Sequence, residues 1–234
     1  VSVSFRHVVF DLDGTLIDSR QDLADAANAL LARHGAPPLP VPDVVRMVGE
    51  GARTLVARVL DRAALQVDLD AALATFLEAY DARLANHTRA YDGIRAALTA
   101  LTAAGCRLSV LTNKPQRATD RVLEALDLRT PFTAVLGGDT AVGRKPEPLG
   151  LRMLMSEAGT APDETVMVGD SWVDVHTARA AGIEACLVTW GFGYEGVDAA
   201  TRETVRWLIH APADLMTLAD AHPPAPSTPP AIPA

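Results

Sequence analysis

One stretch governs what this chain can become: Val8-Val9-Phe10 runs straight into Asp11-Leu12-Asp13-Gly14-Thr15-Leu16. Two β-branched residues and an aromatic one favour a buried strand, and Gly14 ends it in a loop. Along an ideal strand Asp11 and Asp13 share a face, and the turn at Gly14 can re-aim the second. Ligands of open α/β sheets sit beyond the carboxyl ends of the strands, where this pair falls. On its own, such a segment reads more simply as a charged loop after a core strand. Three further polar stations, each closing another apolar run, turn the reading towards function.

The spacing of the next strand sets the organisation. A simple crossover from 8–11 would return to the sheet within a few tens of residues. The next convincing strand is Arg107-Leu108-Ser109-Val110-Leu111-Thr112, fed by a helix with Asp92 as expected N-cap and Ile94, Ala97, Leu98 and Leu101 on one face. Residues between are surplus to a crossover, and they carry three helical stripes. Leu23, Ala26, Ala27, Leu30 and Leu31 form one, ending at Gly35 before a Pro-rich turn over 37–42. Leu55, Val56, Val59 and Leu60 form another, and Leu69, Leu73, Phe76, Leu77 and Tyr80 a third. A helical insertion emerging directly after the D-x-D loop would sit over the strand ends as a cap.

Beyond 106 the pattern alternates. The expected elements are a helix around Val122, Leu123 and Leu126, a strand 132–136, a helix 147–158 stopped at Gly159, a strand 165–168, a helix 172–181 stopped at Gly182 and a strand 185–189. Residues 202–209 are read as a peripheral strand and 212–221 as a last helix. This alternation implies an α/β fold with a doubly wound, Rossmann-like parallel sheet. The expected division is a catalytic core of 1–17 and 89–221, a cap of 18–88, and a disordered Pro-rich tail of 222–234.

Composition narrows the partners. A net charge of −8 argues against nucleic acid or an anionic membrane held by bulk electrostatics, yet allows a small anionic substrate where local positive charge exists. Only two lysines occur, Lys114 and Lys145. Cys106 and Cys186 fall in or beside apolar runs, without redox or metal spacing, and read as small buried thiols. No stretch approaches 18 apolar residues and no basic-then-apolar leader opens the sequence, so the expected location is cytoplasmic. Nothing in the sequence reports the oligomeric state.

Four stations line up at strand ends: Asp11 and Asp13; Thr112-Asn113; Lys145 within Gly143-Arg144-Lys145-Pro146; and Gly169-Asp170-Ser171-Trp172-Val173-Asp174. Together they supply carboxylates for a divalent ion, hydroxyl and amide donors for oxyanions, and a fixed positive charge. That inventory suits phosphoryl transfer.

These residues resemble the haloacid dehalogenase-like superfamily over 5–196, specifically its phosphatases with a helical cap. Asp11 to Ser19, Val48 to Gly51, Thr112 to Pro115, and Gly138-Asp139 with Lys145 to Pro148 also resemble the phosphoglycolate phosphatase group within it. The resemblance implies Asp11 as nucleophile, forming an aspartyl phosphate, and Asp13 as the acid and then base. It implies Mg²⁺ held by Asp11, the Asp13 carbonyl and Asp170, with Asp174 supporting from behind. Gly14, Thr112, the Asn113 backbone and Lys145 would bind the phosphoryl group. The implied substrate is a small phosphate monoester, 2-phosphoglycolate first and a sugar phosphate second.

Other chemistries fit less well. A mutase relative carries a histidine in the helix after the first strand, and residues 19–31 have none. A phosphonate-cleaving relative needs a cap lysine, absent from 18–90, and a dehalogenase has no use for Asp13. A phospho-acceptor switch needs neither Asp13 nor a cap. Arg53, near Gly49 and Gly51, is the candidate cap cation for a substrate carboxylate, and a surface arginine is the alternative. Asn28 or Thr54 would serve a sugar phosphate. Lys114 and Arg144 read as surface residues as readily as substrate contacts.

Overall fold

A computed structural model describes residues 5–219 of the chain. The first strand, β1 (His7–Phe10), is buried at every residue, as expected for the centre of a parallel sheet covered on both faces. The chain then turns through β2 (Ile17–Asp18) into four helices, α1 (Arg20–Arg33), α2 (Val41–Val45), α3 (Ala52–Arg62) and α4 (Leu69–Asp81), and returns through β3 (Arg89–Ala90). The remainder alternates: α5 (Ile94–Ala103), β4 (Arg107–Leu111), α6 (Gln116–Ala125), β5 (Phe132–Leu136), α7 (Leu149–Ala158), β6 (Thr165–Gly169), α8 (Trp172–Ala181), β7 (Glu184–Val188), α9 (Ala199–Glu203) and β8 (Trp207–Ile209).

Six parallel strands form one sheet in the order β5-β4-β1-β6-β7-β8, the doubly wound arrangement expected. Register places the stations side by side. Phe10 pairs with Val110 on one side and Val168 on the other, so Asp11, Thr112 and Asp170 all emerge at the same carboxyl edge. The chain reverses its direction of travel across the sheet at β1, which opens a crevice there.

The helices between β2 and β3 have an apolar core of their own. Leu30, Leu31, Val44, Leu55, Val56, Val59, Phe76 and Tyr80 pack together, and Ala118 of α6 joins them from the sheet side. Each such fully buried aliphatic or aromatic side chain contributes about 1.5–3 kcal/mol. The two connections to this unit run side by side as an antiparallel ribbon, Ile17 opposite Ala90 and Asp18 opposite Arg89. Asp22, fully buried, fastens the outgoing helix to the returning chain. It accepts from the backbone N–H of His87 and Thr88 (3.0 and 2.8 Å) and from Thr88 Oγ1 (2.6 Å).

Several boundaries differ from expectation. Gly93, in the left-handed region at φ 88°, heads α5 in place of Asp92. The Pro-rich turn holds the short helix α2, since proline is tolerated in a first helical turn. Residues 202 and 203 end α9, leaving only 207–209 as strand. The last helix is a 3₁₀ segment, Pro212–Leu218. The expected tail from 222 onwards lies outside the described residues, as do 1–4 and 220–221 of the expected core. No helix among the described residues is long and apolar enough to cross a membrane.

One buried group couples the fold to pH. His7, with 0% exposure on β1, contacts Ser109 Oγ at 2.9 Å and Thr160 Oγ1 at 3.2 Å. Burial, helped by the charge of Arg107, lowers its pKa from 6.5 to about 4. Between those values the unfolded chain takes up a proton that the folded chain refuses. The His7 contribution is therefore intact above pH 6.5 and declines as pH falls towards 4, by about 3 kcal/mol in all. Buried Asp11, raised to about 6, acts in the opposite sense over the same range. The check is denaturant unfolding of wild type and His7→Gln at pH 7.5 and 4.5, because the Asp11 contribution cancels in the difference. Equal pH slopes in the two proteins would refute the assignment.

Candidate active site

At the carboxyl edge, Asp11 follows β1 directly, and its N–H bonds the Val168 carbonyl at 2.8 Å. The loop tightens at once, with the N–H groups of Thr15, Leu16 and Ile17 all donating to the Leu12 carbonyl. Gly14 is required there twice over. Its φ is +89°, and a Cβ would lie 2.1 Å from Asp170 Oδ2. Asp170, at the end of β6, approaches the loop closely only because of that glycine. Its Oδ2 accepts from Gly193 N–H (2.7 Å), and its Oδ1 receives a long bond from Thr15 Oγ1 (3.4 Å).

Asp174 sits in the first turn of α8, where a carboxylate is favoured by the helix dipole and free N–H groups. Its Oδ2 accepts from Ser171 N–H (3.1 Å) and Ser171 Oγ (2.6 Å), while Oδ1 takes Lys145 Nζ at 2.7 Å. Lys145 Nζ also contacts Asp11 Oδ1 at 2.7 Å. The lysine is buried and bridges the two carboxylates.

Asp11, Asp170 and Asp174 offer oxygens that all lie within 4.8 Å of one another. Three carboxylates against one ammonium leave two negative charges in a buried space. Burial raises the pKa of Asp170 well above its ordinary range, with Asp174 and Asp11 adding to the effect. Burial likewise raises Asp11 to about 6, despite Lys145. A hard divalent cation relieves this excess, and an all-oxygen donor set suits one. The site therefore fits a metal ion.

Asn113 ties the site to the helical unit. Its amide pairs with the Lys145 backbone in both directions, Nδ2 to the carbonyl (3.0 Å) and the Lys145 N–H to Oδ1 (2.9 Å). The same Nδ2 donates to the Gly49 carbonyl at 2.9 Å. The 48–51 loop is thereby held against the sheet, closing a cavity of about 70 Å³. Asp11, Asp13, Thr112, Asn113, Lys114 and Asp170 line its floor. Leu23, Val48, Leu55, Phe76, Leu77 and Tyr80 of the helical unit form its roof.

The predicted residues Asp11, Asp13, Gly14, Thr112, Asn113, Lys145, Asp170 and Asp174 are thus brought together. Arg53 is not. It is half-exposed, pairs with Asp70 and is absent from the cavity lining. The reason is geometric: as the second residue of α3 it points along the outer surface, while Leu55 and Val56 face inward. Asn28 is also unavailable, because both ends of its amide hold the Leu39 backbone. Arg144 is exposed, with its guanidinium beside Gly51.

Lys114 is the residue that sequence reasoning undervalued. It is 6% exposed, with Nζ 3.0 Å from both oxygens of Asp13. Asp13 Oδ1 also accepts from Ser19 Oγ at 2.6 Å. The signal was there: one of two lysines in the chain, directly after Thr112-Asn113.

A parallel sheet with an acidic trio, a bridging lysine and hydroxyl and amide donors at one crevice makes this an α/β protein furnished with the groups that phosphoryl transfer requires. Residues 8–188 match the family model of haloacid dehalogenase-like hydrolases, and the chain belongs to that family. It is 45% identical over 197 residues to phosphoglycolate phosphatase of Rhodospirillum rubrum, covering 81% of this chain and 82% of the relative. Against phosphoglycolate phosphatase of Pseudomonas putida the identity is 38% over 228 residues, covering 92% and 84%. Among solved structures, a predicted phosphoglycolate phosphatase from Haemophilus somnus superposes with a TM-score of 0.85 at 30% identity, covering 92% and 97%.

Proposed function

We propose that the chain is a Mg²⁺-dependent phosphomonoesterase that hydrolyses 2-phosphoglycolate to glycolate and phosphate through an aspartyl phosphate. The observation that carries this reading is the pairing at the crevice of two differently furnished carboxylates. Asp11 is fixed by Lys145 and lies beside Asp170. Asp13, two residues on, faces the cavity between Ser19 and Lys114.

In this reading Asp11 attacks phosphorus, and Lys145 offsets the repulsion between an anionic nucleophile and an anionic ester. Asp13 gives a proton to the departing alkoxide oxygen and later takes one from the hydrolytic water. Thr112 Oγ1 and the Asn113 backbone N–H hold phosphoryl oxygens. Asp11, the Asp13 carbonyl and Asp170 would hold a divalent cation, which when bound would neutralise charge at the phosphoryl group. The helical unit acts as a cap whose apolar roof keeps bulk water from the reacting centre. Glycolate is favoured over a sugar as leaving group, since the cavity is small and its roof is mainly apolar.

Dialysis against a chelator is expected to abolish phosphatase activity, and added Mg²⁺ to restore it. A panel of phosphate esters at fixed Mg²⁺ should then show the highest kcat/KM for 2-phosphoglycolate. Full activity in the metal-free protein would overturn the mechanism, and a preference for hexose phosphates would overturn the substrate.

A further inference from the structure

The cavity has a polar feature that phosphoryl transfer itself does not use. Among the described residues lining it, Lys114 is the one cation; Lys145 lies behind Asp11 and outside the lining. An ammonium has three protons. The two oxygens of Asp13, each 3.0 Å away, engage it on one side. On another side stands Tyr80 of α4, with the ammonium 4.4 Å from the centre of its ring. Burial opposes the charge on Lys114, and Asp13 and Tyr80 together outweigh it and raise its pKa.

Tyr80 adds a second, independent sign. It is 2% exposed and reaches the cavity from the roof; the Lys114 ammonium stands beside its hydroxyl, but an ammonium only donates, so the Tyr80 proton has no acceptor among the described residues. A ligand oxygen would supply the acceptor that this buried proton lacks. The rest of the roof, Leu23, Val48, Leu55, Phe76 and Leu77, is apolar and offers no competing partner from its side chains.

Covalent geometry then limits what can sit here. Asp13 is proposed to protonate the ester oxygen, so that oxygen lies next to Asp13 and hence close to Lys114. In a phosphorylated α-hydroxy acid a single carbon separates the ester oxygen from the carboxylate. That places the carboxylate beside the group that holds Asp13.

We propose that Lys114 and the Tyr80 hydroxyl form a carboxylate subsite that selects phosphate esters of short α-hydroxy acids. Lys114 bridges the leaving-group carboxylate and Asp13, and the Tyr80 hydroxyl donates to the same carboxylate from the roof. The lysine thereby makes acid function at Asp13 and leaving-group recognition parts of one contact. This rests on the proposed hydrolysis of 2-phosphoglycolate and supplies the cation that Arg53 does not.

The test measures kcat/KM of the Mg²⁺-loaded protein for 2-phosphoglycolate and for ethyl phosphate, which has a two-carbon leaving group without the carboxylate. Lys114→Met is expected to lower the ratio of the two values by at least 30-fold, with Lys114→Arg recovering part of it. Tyr80→Phe keeps the ring and the packing; it should lower the ratio by 5- to 20-fold, mainly through KM for 2-phosphoglycolate. A ratio unmoved in both Lys114→Met and Tyr80→Phe overturns the subsite and leaves the phosphatase reading standing. Should Lys114→Met fail to fold, the Tyr80→Phe ratio decides. A wild-type protein that hydrolyses ethyl phosphate but not 2-phosphoglycolate overturns both.

Discussion

Asp11→Asn is expected to reduce turnover by at least about 10⁴-fold, because an amide cannot replace the proposed nucleophile. Asp13→Asn should cost about 10²–10⁴-fold, the range for loss of a positioned acid or base. The two are told apart by which half-reaction fails. With p-nitrophenyl phosphate, whose leaving group needs little protonation, Asp13→Asn should still form phosphoenzyme and then hydrolyse it slowly. Asp11→Asn should form none. Acid-quench trapping of labelled protein in a single turnover measures both. Stability should move the other way. Asp11 is buried in a cluster with two uncompensated negative charges, and its pKa is raised to about 6. Neutralising it relieves repulsion, so metal-free Asp11→Asn should melt no lower than wild type at pH 7.5. An inactive but equally stable variant assigns the loss to chemistry. Near wild-type turnover would remove Asp11 from its role.

The α/β alternation was legible because its elements are long and strongly patterned. Strand 132–136 and helix 172–181 fall where periodicity put them. The ribbon of β2 and β3 was not, since two residues per strand leave no period to read. At the site, legibility followed strand ends. Asp11, Thr112 and Asp170 each close an apolar run, and parallel register then brings them to one edge. What sequence could not give was direction within the helical unit. Arg53 and Tyr80 both belong to amphipathic helices, and only tertiary packing turns one outward and the other towards Lys114. Lys114 was ambiguous for a related reason. A lysine at the start of a helix is ordinarily solvated, and its burial here depends on a roof 34 positions earlier in the chain.

That roof is not independent of the chemistry beneath it. Asn113 holds the Gly49 carbonyl and both polar groups of the Lys145 peptide through one amide. Seating of the 48–51 loop and placement of the Lys145 backbone are consequently parts of one hydrogen-bonded unit. Lys145 in turn carries much of the electrostatic balance of the site.

Lys145→Ala is accordingly expected to affect activity and stability together. Lys145 is 5% exposed, and its Nζ lies 2.7 Å from both Asp11 Oδ1 and Asp174 Oδ1. Those two carboxylates, with burial outweighed, raise its own pKa to about 12. Removing it leaves three buried carboxylates with no cation among them. Loss of one partner from a buried charged pair costs about 3–5 kcal/mol, and loss of a cation that stabilises the transition state about 10²–10³-fold in kcat. Divalent ions should compensate part of the stability, so the rise in Tm on adding Mg²⁺ should be larger in Lys145→Ala than in wild type. Adding Asp174→Asn removes one of the orphaned carboxylates while keeping an acceptor for Ser171. The double variant should therefore recover stability relative to Lys145→Ala without recovering turnover. Denaturant unfolding and steady-state kinetics on the four proteins of this cycle give the coupling directly. A Lys145→Ala protein within 1 kcal/mol of wild type, or a double variant no more stable than the single, would show that solvent rather than Lys145 balances these charges.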